Sequence, residues 1–193
     1  MVILASQSPR RRELLARIVS DFQVCPADID ETPRANESAE QYVQRLAHEK
    51  ATKVQEVYAG SCIIAADTTV VVDDLMLQKP ESEQEAFAML SSLRGREHRV
   101  LTGLAVYTST RRALKVVSTS VRFACVSDDL IKAYIATGEP SDKAGAYALQ
   151  GVGDVLVESI EGSVSNVIGL PLQILSELLV ASGVNLSLSR SVD

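Results

Sequence analysis

Apolar residues recur along the chain with two spacings, one typical of amphipathic helices and one typical of buried strands. The helical spacing predicts helices over residues 9–19, 38–57, 82–95, 128–138 and 172–181. The extended spacing predicts strands over residues 2–5, 62–66, 69–72, 75–77, 99–107, 114–126 and 155–160. Because helices and strands alternate without repeats or a long linker, we predict a single α/β domain over residues 1–193, with a mixed sheet flanked by helices.

Local signals support several of these element bounds. Ser8 is placed to cap the first helix, and Pro9 suits its first position. The spacing of Ser38 and Gln41 is typical of a capping box at the start of the second helix. Between two extended runs, Asp73-Asp74 predicts a hairpin turn.

Composition narrows the function classes. The 25 acidic and 19 basic residues give a net charge of −6, which argues against a non-specific nucleic-acid binder. Three separated cysteines and two histidines match neither a disulfide framework nor a zinc-ligand spacing. There is no secretory leader pattern and no apolar run long enough to cross a membrane, so we expect a soluble protein in a reducing compartment.

Three consecutive arginines, Arg10, Arg11 and Arg12, stand where a helix is predicted to begin. Arginine in a first helical turn opposes the helix dipole, at a cost of about 0.3 to 1 kcal/mol each. Together with the free backbone N–H groups of the turn from Ser6 to Pro9, these side chains form a candidate polyphosphate site. The alternative is a solvated run of like charges, and the charge pattern leaves both interpretations open.

Lys50 lies near the middle of the apolar stripe of the second predicted helix. A lysine in that position is costly unless it is paired or contacts a ligand. The alternative is that Lys50 ends the buried stretch and extends its amine into solvent. The exposed face already holds Lys53 and Glu56, which favours a functional interpretation of Lys50.

Two acids and one further cation complete the candidate set. Asp67 closes the predicted apolar strand CIIAA, and an acid at the carboxyl end of a strand can bind a metal or accept a proton. Glu31, in the segment DIDET, is its candidate partner, and Lys79 stands at a segment boundary before Pro80. The alternatives are a turn aspartate that caps backbone N–H groups and an ordinary exposed lysine.

These groups together favour one class of chemistry. Several cations suit phosphates, two carboxylates suit a divalent cation and a water, and no nucleophile with a histidine base is recognisable. We therefore predict metal-assisted hydrolysis of a polyphosphate rather than acyl transfer. The P-loop pattern GxxxxGK(S/T) does not occur, so this is not the common NTPase phosphate cradle.

Eight sequence blocks form one ordered set over nearly the whole chain: ILASQSPRRRELL, DET, RLAHEKA, AADTTVV, QKP, LRGREHRVLTGLAV, DKAGAYALQGVG and NVIGLPL. With these blocks the chain closely resembles the Maf family, nucleoside triphosphate pyrophosphatases once described as septum-formation proteins. The resemblance implies hydrolysis of a nucleoside triphosphate to the monophosphate and diphosphate, with a divalent cation, in the cytoplasm. It also implies a fold related to the inosine triphosphate pyrophosphatases, with two lobes around a cleft, and a homodimer is common in the family.

The resemblance also assigns roles to residues. Asp67 matches the family's proton acceptor. From the spacing of the cations and acids, we expect Glu31 and Asp67 to be the metal ligands. Five positions match polar residues around the phosphates and the metal: Ser6, Arg11, Glu31, Lys50 and Lys79. The metal itself, Mg²⁺, Mn²⁺ or Co²⁺, is left open, because all three accept oxygen ligands.

Arg10, Thr68 and Gln150 occupy the three positions at which the family divides by substrate, and this trio is similar to that of the branch acting on dTTP and UTP. Gln150 can offer both a donor and an acceptor to a pyrimidine edge. One alternative is the branch acting on 7-methyl-GTP, which usually has Trp, Gln and Glu at these positions. Another is a cell-division regulator that binds triphosphates without turnover, although the joint presence of Asp67 and Glu31 favours an enzyme. Val164 departs from relatives that often carry an aromatic residue there.

Overall fold

The computed structural model describes residues 1–188, which form thirteen helices and strands numbered here in chain order. They are β1 Val2–Leu4, α1 Pro9–Ala16, β2 Gln23–Val24, α2 Ala39–Val57, β3 Cys62–Val72, β4 Leu75–Leu77, α3 Glu83–Leu93, β5 Glu97–Tyr107, β6 Arg112–Phe123, α4 Asp128–Ala136, β7 Val157–Glu161, α5 Val164–Ile168 and α6 Leu172–Ala181. Short 3₁₀ helices occupy Glu139–Asp142, Ala144–Ala146 and Val152–Leu156.

The strands form a mixed sheet in the order β2-β1-β3-β5-β6-β7, and β4 pairs with β3 outside this path. β1 is parallel to both β2 and β3, with Ile3 opposite Gln23 on one side and Ile63 on the other. β4 is antiparallel to β3, and β7 is antiparallel to β6. The predicted α/β class with a mixed sheet flanked by helices is confirmed.

Capping and turn chemistry account for several bounds. Ser8 and Ser38 cap α1 and α2, and the capping box of Ser38 and Gln41 is complete in both directions. The hairpin of β3 and β4 turns through Asp73 and Asp74, both with positive φ, a conformation that aspartate tolerates in tight turns. These predictions are therefore confirmed by the backbone.

Some predicted bounds are wrong. The first helix ends at Ala16 rather than at residue 19, because the backbone N–H groups of Arg17 and Ile18 donate to carbonyls three residues back and tighten the last turn. The apolar strand does not close at Asp67 but continues to Val72, since the β-branched residues after Asp67 extend the same strand. α5 and the three 3₁₀ helices were not predicted, because segments of three to five residues are too short for a periodic pattern.

The chain divides into two compact units. The first unit consists of Met1–Asp67, Thr102–Val117 and the described residues from Gly169 onward, and its core includes Ile3, Ala47, Ile63 and Ala105. The second unit consists of Thr68–Leu101 and Ser118–Ile168, and its core includes Leu90, Phe123, Tyr134 and Leu156. That residues 1–193 form a single domain, and that two lobes enclose a cleft, both stay predictions.

Gly103 lets β5 lie directly against α2 in the first unit. A Cβ built at this position would lie 2.0 Å from the backbone oxygen of Val43 and 2.9 Å from the backbone nitrogen of Gln44. Backbone atoms in the middle of a helix cannot move aside as a flexible side chain can. The close approach of strand and helix therefore requires glycine at position 103.

His98 is buried in an aromatic cluster of the second unit, where it is only 2% exposed. Its ring lies edge-on to Phe123 and Tyr147, and Nε2 is 2.8 Å from the Tyr147 hydroxyl oxygen. Burial lowers the pKa of His98 from 6.5 to about 4. Nδ1 has no hydrogen-bond partner among residues 1–188, so a second ring proton would lack an acceptor.

We expect this histidine to make folding stability sensitive to acid. Because the folded pKa lies below the ordinary value, the unfolded chain binds a proton that the folded protein excludes between about pH 6.5 and 4. Stability from this group is therefore present above pH 6.5 and lost as the pH falls, by about 2.5 kcal/mol at pH 4.5. Urea denaturation of the wild type and His98→Phe at pH 7 and 4.5 measures this loss. Equal losses in both proteins would contradict the assignment.

Candidate functional site

The turn between β1 and α1 is built around two serines. The side chain of Ser8 accepts a hydrogen bond from the backbone N–H of Arg11, 3.4 Å away, and so caps the helix. Ser6 is buried, and its Oγ accepts a hydrogen bond from the backbone N–H of Ser8 at 3.2 Å. The start of α1 is therefore an ordered turn whose helix dipole favours an anion.

Arg11 is fixed beside this turn by two hydrogen bonds. Its Nε donates to the carbonyl of Gly169 at 2.8 Å, and its Nη1 donates to Ser6 Oγ at 3.4 Å. Burial lowers the pKa of Arg11, the negative charges of Asp67 and Glu31 oppose that effect, and the adjacent charge of Arg10 adds to it. Arg11 therefore lies within electrostatic range of both predicted carboxylates.

The three consecutive arginines differ in exposure, because successive helical residues face different directions. Arg12 is exposed, whereas Arg10 and Arg11 are half-buried. The alternative of a fully solvated arginine run is therefore wrong for Arg11, which contacts Ser6 and Gly169.

Lys50 joins the two predicted carboxylates. It projects from α2 and is only 7% exposed, so the alternative in which its amine extends into solvent is wrong. Its Nζ lies 2.6 Å from Glu31 Oε1 and 2.7 Å from Asp67 Oδ1. A buried ammonium needs such partners, since an unpaired charge would not be tolerated there.

The two carboxylates differ in their surroundings. Asp67 is 8% exposed and lies in the middle of β3. The sequence pattern had placed it at the end of a strand, with a turn as the alternative, and both positions are wrong. The side chain of Glu31 is 50% exposed and belongs to the segment between β2 and α2. One carboxylate is thus held by the sheet, while the other is presented by a connecting segment.

The segment that carries Glu31 is fastened to α2. The Tyr42 hydroxyl donates to the carbonyl of Glu31 at 3.0 Å, and Arg45 Nη2 donates to the carbonyl of Thr32 at 3.1 Å. Arg45 also binds Glu37 through two nitrogens, at 2.5 and 2.8 Å, and these hydrogen bonds lower the pKa of Glu37 to about 2. Sequence reasoning did not single out Tyr42 or Arg45, although Arg45 opens the block RLAHEKA.

Three predicted site residues belong to the second unit. Thr68 follows Asp67 directly in β3 and is half-buried. Lys79 is exposed just beyond β4, and the carbonyl of its neighbour Gln78 accepts a hydrogen bond from the backbone N–H of Gly145 at 3.1 Å. Gln150 is half-buried in the link between two 3₁₀ helices.

Two carboxylates of the first unit have the donor chemistry that a hydrated divalent cation requires. Among residues 1–188 no group of three or more His, Cys, Asp or Glu side chains is arranged to hold a metal ion. Glu31 and Asp67 nevertheless converge on one atom, Lys50 Nζ. Mg²⁺ commonly binds proteins through one or two carboxylates and takes its remaining ligands from waters and substrate phosphates, so this pair fits such an ion.

No helix within residues 1–188 combines the length and the hydropathy that a membrane crossing requires.

The site therefore combines a helix N-terminus, a half-buried arginine and a buried lysine with two carboxylates in one unit. Cations of this kind stabilise phosphate oxygens, and a carboxylate can accept a proton from water. The arrangement suits the hydrolysis of a phosphate ester or anhydride.

The comparisons with known proteins agree with this chemistry. The chain is 50% identical to the dTTP/UTP pyrophosphatase of Myxococcus xanthus (strain DK1622) over 186 residues, which cover 96% of this chain and 94% of that protein. It is 47% identical to the dTTP/UTP pyrophosphatase of Thermococcus onnurineus (strain NA1), with 92% and 96% covered.

Among solved structures, the Staphylococcus aureus Ham1 protein is similar in fold alone, with a TM-score of 0.53, 13% identity and coverage of 94% of this chain and 98% of that chain. A family model described as Maf-like protein matches residues 1–182, and the resemblance seen in the sequence blocks is thereby confirmed. On this evidence, the chain belongs to the Maf-like protein family.

Proposed function

We propose that the protein hydrolyses dTTP and UTP to the nucleoside monophosphate and diphosphate. The observation that carries the proposal is the buried Lys50, whose Nζ contacts both Glu31 and Asp67 in the unit that also holds Arg11 and the capped turn. The names of relatives about 50% identical over nearly the whole chain support the same substrates.

Each residue has a separate role in this reaction. Asp67 is the proton acceptor for the water that attacks the α-phosphorus, and its contact with Lys50 orients its carboxylate. Arg11, Lys50 and Lys79 neutralise the phosphate oxygens and the departing diphosphate. Ser6 orients Arg11 through their hydrogen bond and can itself donate its hydroxyl proton to a phosphate oxygen.

A divalent cation, Mg²⁺, Mn²⁺ or Co²⁺, would be held by Glu31 and Asp67 and would supply further positive charge to the phosphate oxygens when bound. Lys50 contacts the same two carboxylates. The oxygen atoms that would hold the cation therefore also position the Lys50 ammonium group.

We assign the choice among nucleobases to Arg10, Thr68 and Gln150. The side-chain amide of Gln150 has one acceptor and two donor hydrogens, which matches the mixed donor and acceptor edge of thymine or uracil. The reaction suits a house-cleaning role in nucleotide metabolism. A cytoplasmic location and a homodimeric state also stay predictions.

A substrate panel tests the proposal. We expect the purified protein with Mg²⁺, Mn²⁺ or Co²⁺ to release diphosphate and monophosphate in equal amounts, fastest from dTTP and UTP. Ion chromatography of the products over canonical triphosphates, modified pyrimidine triphosphates and 7-methyl-GTP measures this, with a chelator-treated sample as the control. Release of orthophosphate, or no turnover of any triphosphate, would contradict the proposed reaction. A preference for 7-methyl-GTP would favour the other branch.

A further inference from the structure

The segment that carries Gln150 is tied, on its N-terminal side, to the side chain of Tyr134. This tyrosine lies in α4 and is 2% exposed. Its hydroxyl oxygen accepts a hydrogen bond from the backbone N–H of Ala148 at 3.1 Å and donates to Glu139 Oε1 at 2.9 Å. The residue two places before Gln150 is therefore anchored to the pair formed by Tyr134 and Glu139.

On its C-terminal side the same segment is tied to Glu139. The backbone N–H of Val152 donates to Glu139 Oε2 at 3.0 Å, and that of Gly153 donates to Oε1 at 3.2 Å. With the Tyr134 hydroxyl, three donors converge on one half-buried carboxylate. An ionised carboxylate offers only acceptors, so glutamate suits this position and its amide analogue does not.

Gly151 shows how closely the carboxylate packs on this backbone. A Cβ built at position 151 would lie 2.4 Å from Glu139 Oε2 and 2.9 Å from its Cδ. Gly151 also has φ +112, which non-glycine residues rarely adopt. A side chain at the position after Gln150 would therefore overlap the Glu139 carboxylate and strain the backbone.

We propose that Glu139 and Tyr134 are positioning residues for Gln150 and thereby set the preference for the base. This inference rests on the proposed function, in which Gln150 contacts the nucleobase. The pair holds the segment on both sides of Gln150, at Ala148 before it and at Val152 and Gly153 after it. A side-chain amide discriminates between bases only when its backbone is fixed, because its donors and acceptor must meet their partners at defined angles.

A purely structural role of Glu139 and Tyr134 would change the kinetics in a different way. If the pair only stabilised the second unit, its loss would lower the amount of folded enzyme, and the kcat for every triphosphate would fall in the same proportion. A positioning role instead raises the KM for dTTP and UTP, narrows the difference between favoured and disfavoured bases and leaves kcat nearly unchanged.

The test uses two variants that keep the size of the side chain. Glu139→Gln retains one acceptor oxygen but turns an NH₂ group towards backbone donors, and Tyr134→Phe removes the shared hydroxyl. Gly151→Ala changes neither Glu139 nor Tyr134 but should give the same result, because its Cβ would displace the Glu139 carboxylate. Glu158→Gln is the matched control, since Glu158 is an exposed carboxylate on β7 in the same unit.

Hydrogen–deuterium exchange gives a readout that does not depend on activity. In Glu139→Gln, the amides of Val152 and Gly153 should exchange at least about tenfold faster, because each loses a charge-assisted hydrogen bond. The amides of β6 should exchange as in the wild type. Unchanged exchange at Val152 and Gly153 would overturn the anchoring role.

Kinetics decide the role in specificity. We expect the KM for dTTP to rise about tenfold in Glu139→Gln and Tyr134→Phe, with kcat within about threefold of the wild type. The ratio of kcat/KM for dTTP to that for dGTP should fall in both variants and stay unchanged in Glu158→Gln. A uniform fall in kcat for all substrates, or an unchanged ratio, would overturn the inference. If the wild type hydrolysed no triphosphate, the proposed function would fail, and the exchange experiment would still decide whether Glu139 anchors this segment.

Discussion

Asp67→Asn is expected to lower the kcat of dTTP hydrolysis about a thousandfold while nucleotide binding stays measurable. Asparagine has nearly the shape of aspartate but cannot accept a proton from the attacking water, and positioned general bases contribute about 10² to 10⁴ to rates. The substitution keeps a side-chain oxygen for Lys50, which also retains its 2.6 Å contact with Glu31. We therefore expect the variant to fold.

The measurement is diphosphate release under saturating dTTP, together with the dissociation constant of a non-hydrolysable dUTP analogue. Asp74→Asn is the matched control, because Asp74 is almost fully exposed in the β3–β4 turn, at a left-handed position that asparagine also tolerates. This control should hydrolyse dTTP at the wild-type rate. An Asp67→Asn protein with the wild-type kcat would rule out the proton-acceptor role.

Gly103→Ala is expected to destabilise the protein by about 3 kcal/mol or more, at the upper end of the range for overpacked interiors. The added Cβ would lie 2.0 Å from the backbone oxygen of Val43, so β5 and α2 would have to move apart. That separation would open the core of the first unit, in which Ala47 of α2 packs in one cluster with Ala105 of β5.

Urea denaturation at constant pH measures this effect through the midpoint and slope. Gly60→Ala is the control, because a Cβ at position 60 meets no atom within 4 Å. The remaining difficulty at this position is the positive φ of 86°. We expect the control to cost about 1 kcal/mol from backbone strain alone. Equal stabilities of the two variants would show that strand and helix can separate here without loss.

The start of α2 shows why some of the fold was predictable from local sequence. Ser38 and Gln41 satisfy each other's backbone N–H groups within one helical turn, at 2.9 and 3.2 Å, so the signal and the structure lie within four residues. The turn at Asp73-Asp74 is equally local. By contrast, the sequence pattern placed a break at Asp67 between two predicted strands, whereas residues 62–72 form one continuous strand that pairs with β1 at its start and with β4 at its end.

The candidate site likewise has features that the sequence predicted and features that it did not. The sequence motifs named Ser6, Arg11, Glu31, Lys50 and Asp67, and the structure brings these five together in one unit. The sequence did not show that Tyr42 and Arg45 hold the Glu31 segment, or that Glu139 holds the Gln150 segment. These supporting contacts involve backbone carbonyls and N–H groups, which every residue possesses and which therefore leave no distinctive residue pattern.

By itself, the sequence determined the family, the class of fold, most helix and strand positions and the identity of the charged residues. Hydrophobic spacing and helix caps act within a few residues, so they can be read from the chain directly. Only the tertiary structure decided that Lys50 lies between Glu31 and Asp67 and that Arg11 donates to Gly169, 158 residues away. The physical reason is burial: a lysine or arginine removed from water must find hydrogen-bonding partners, and folding alone determines which distant atoms are within reach.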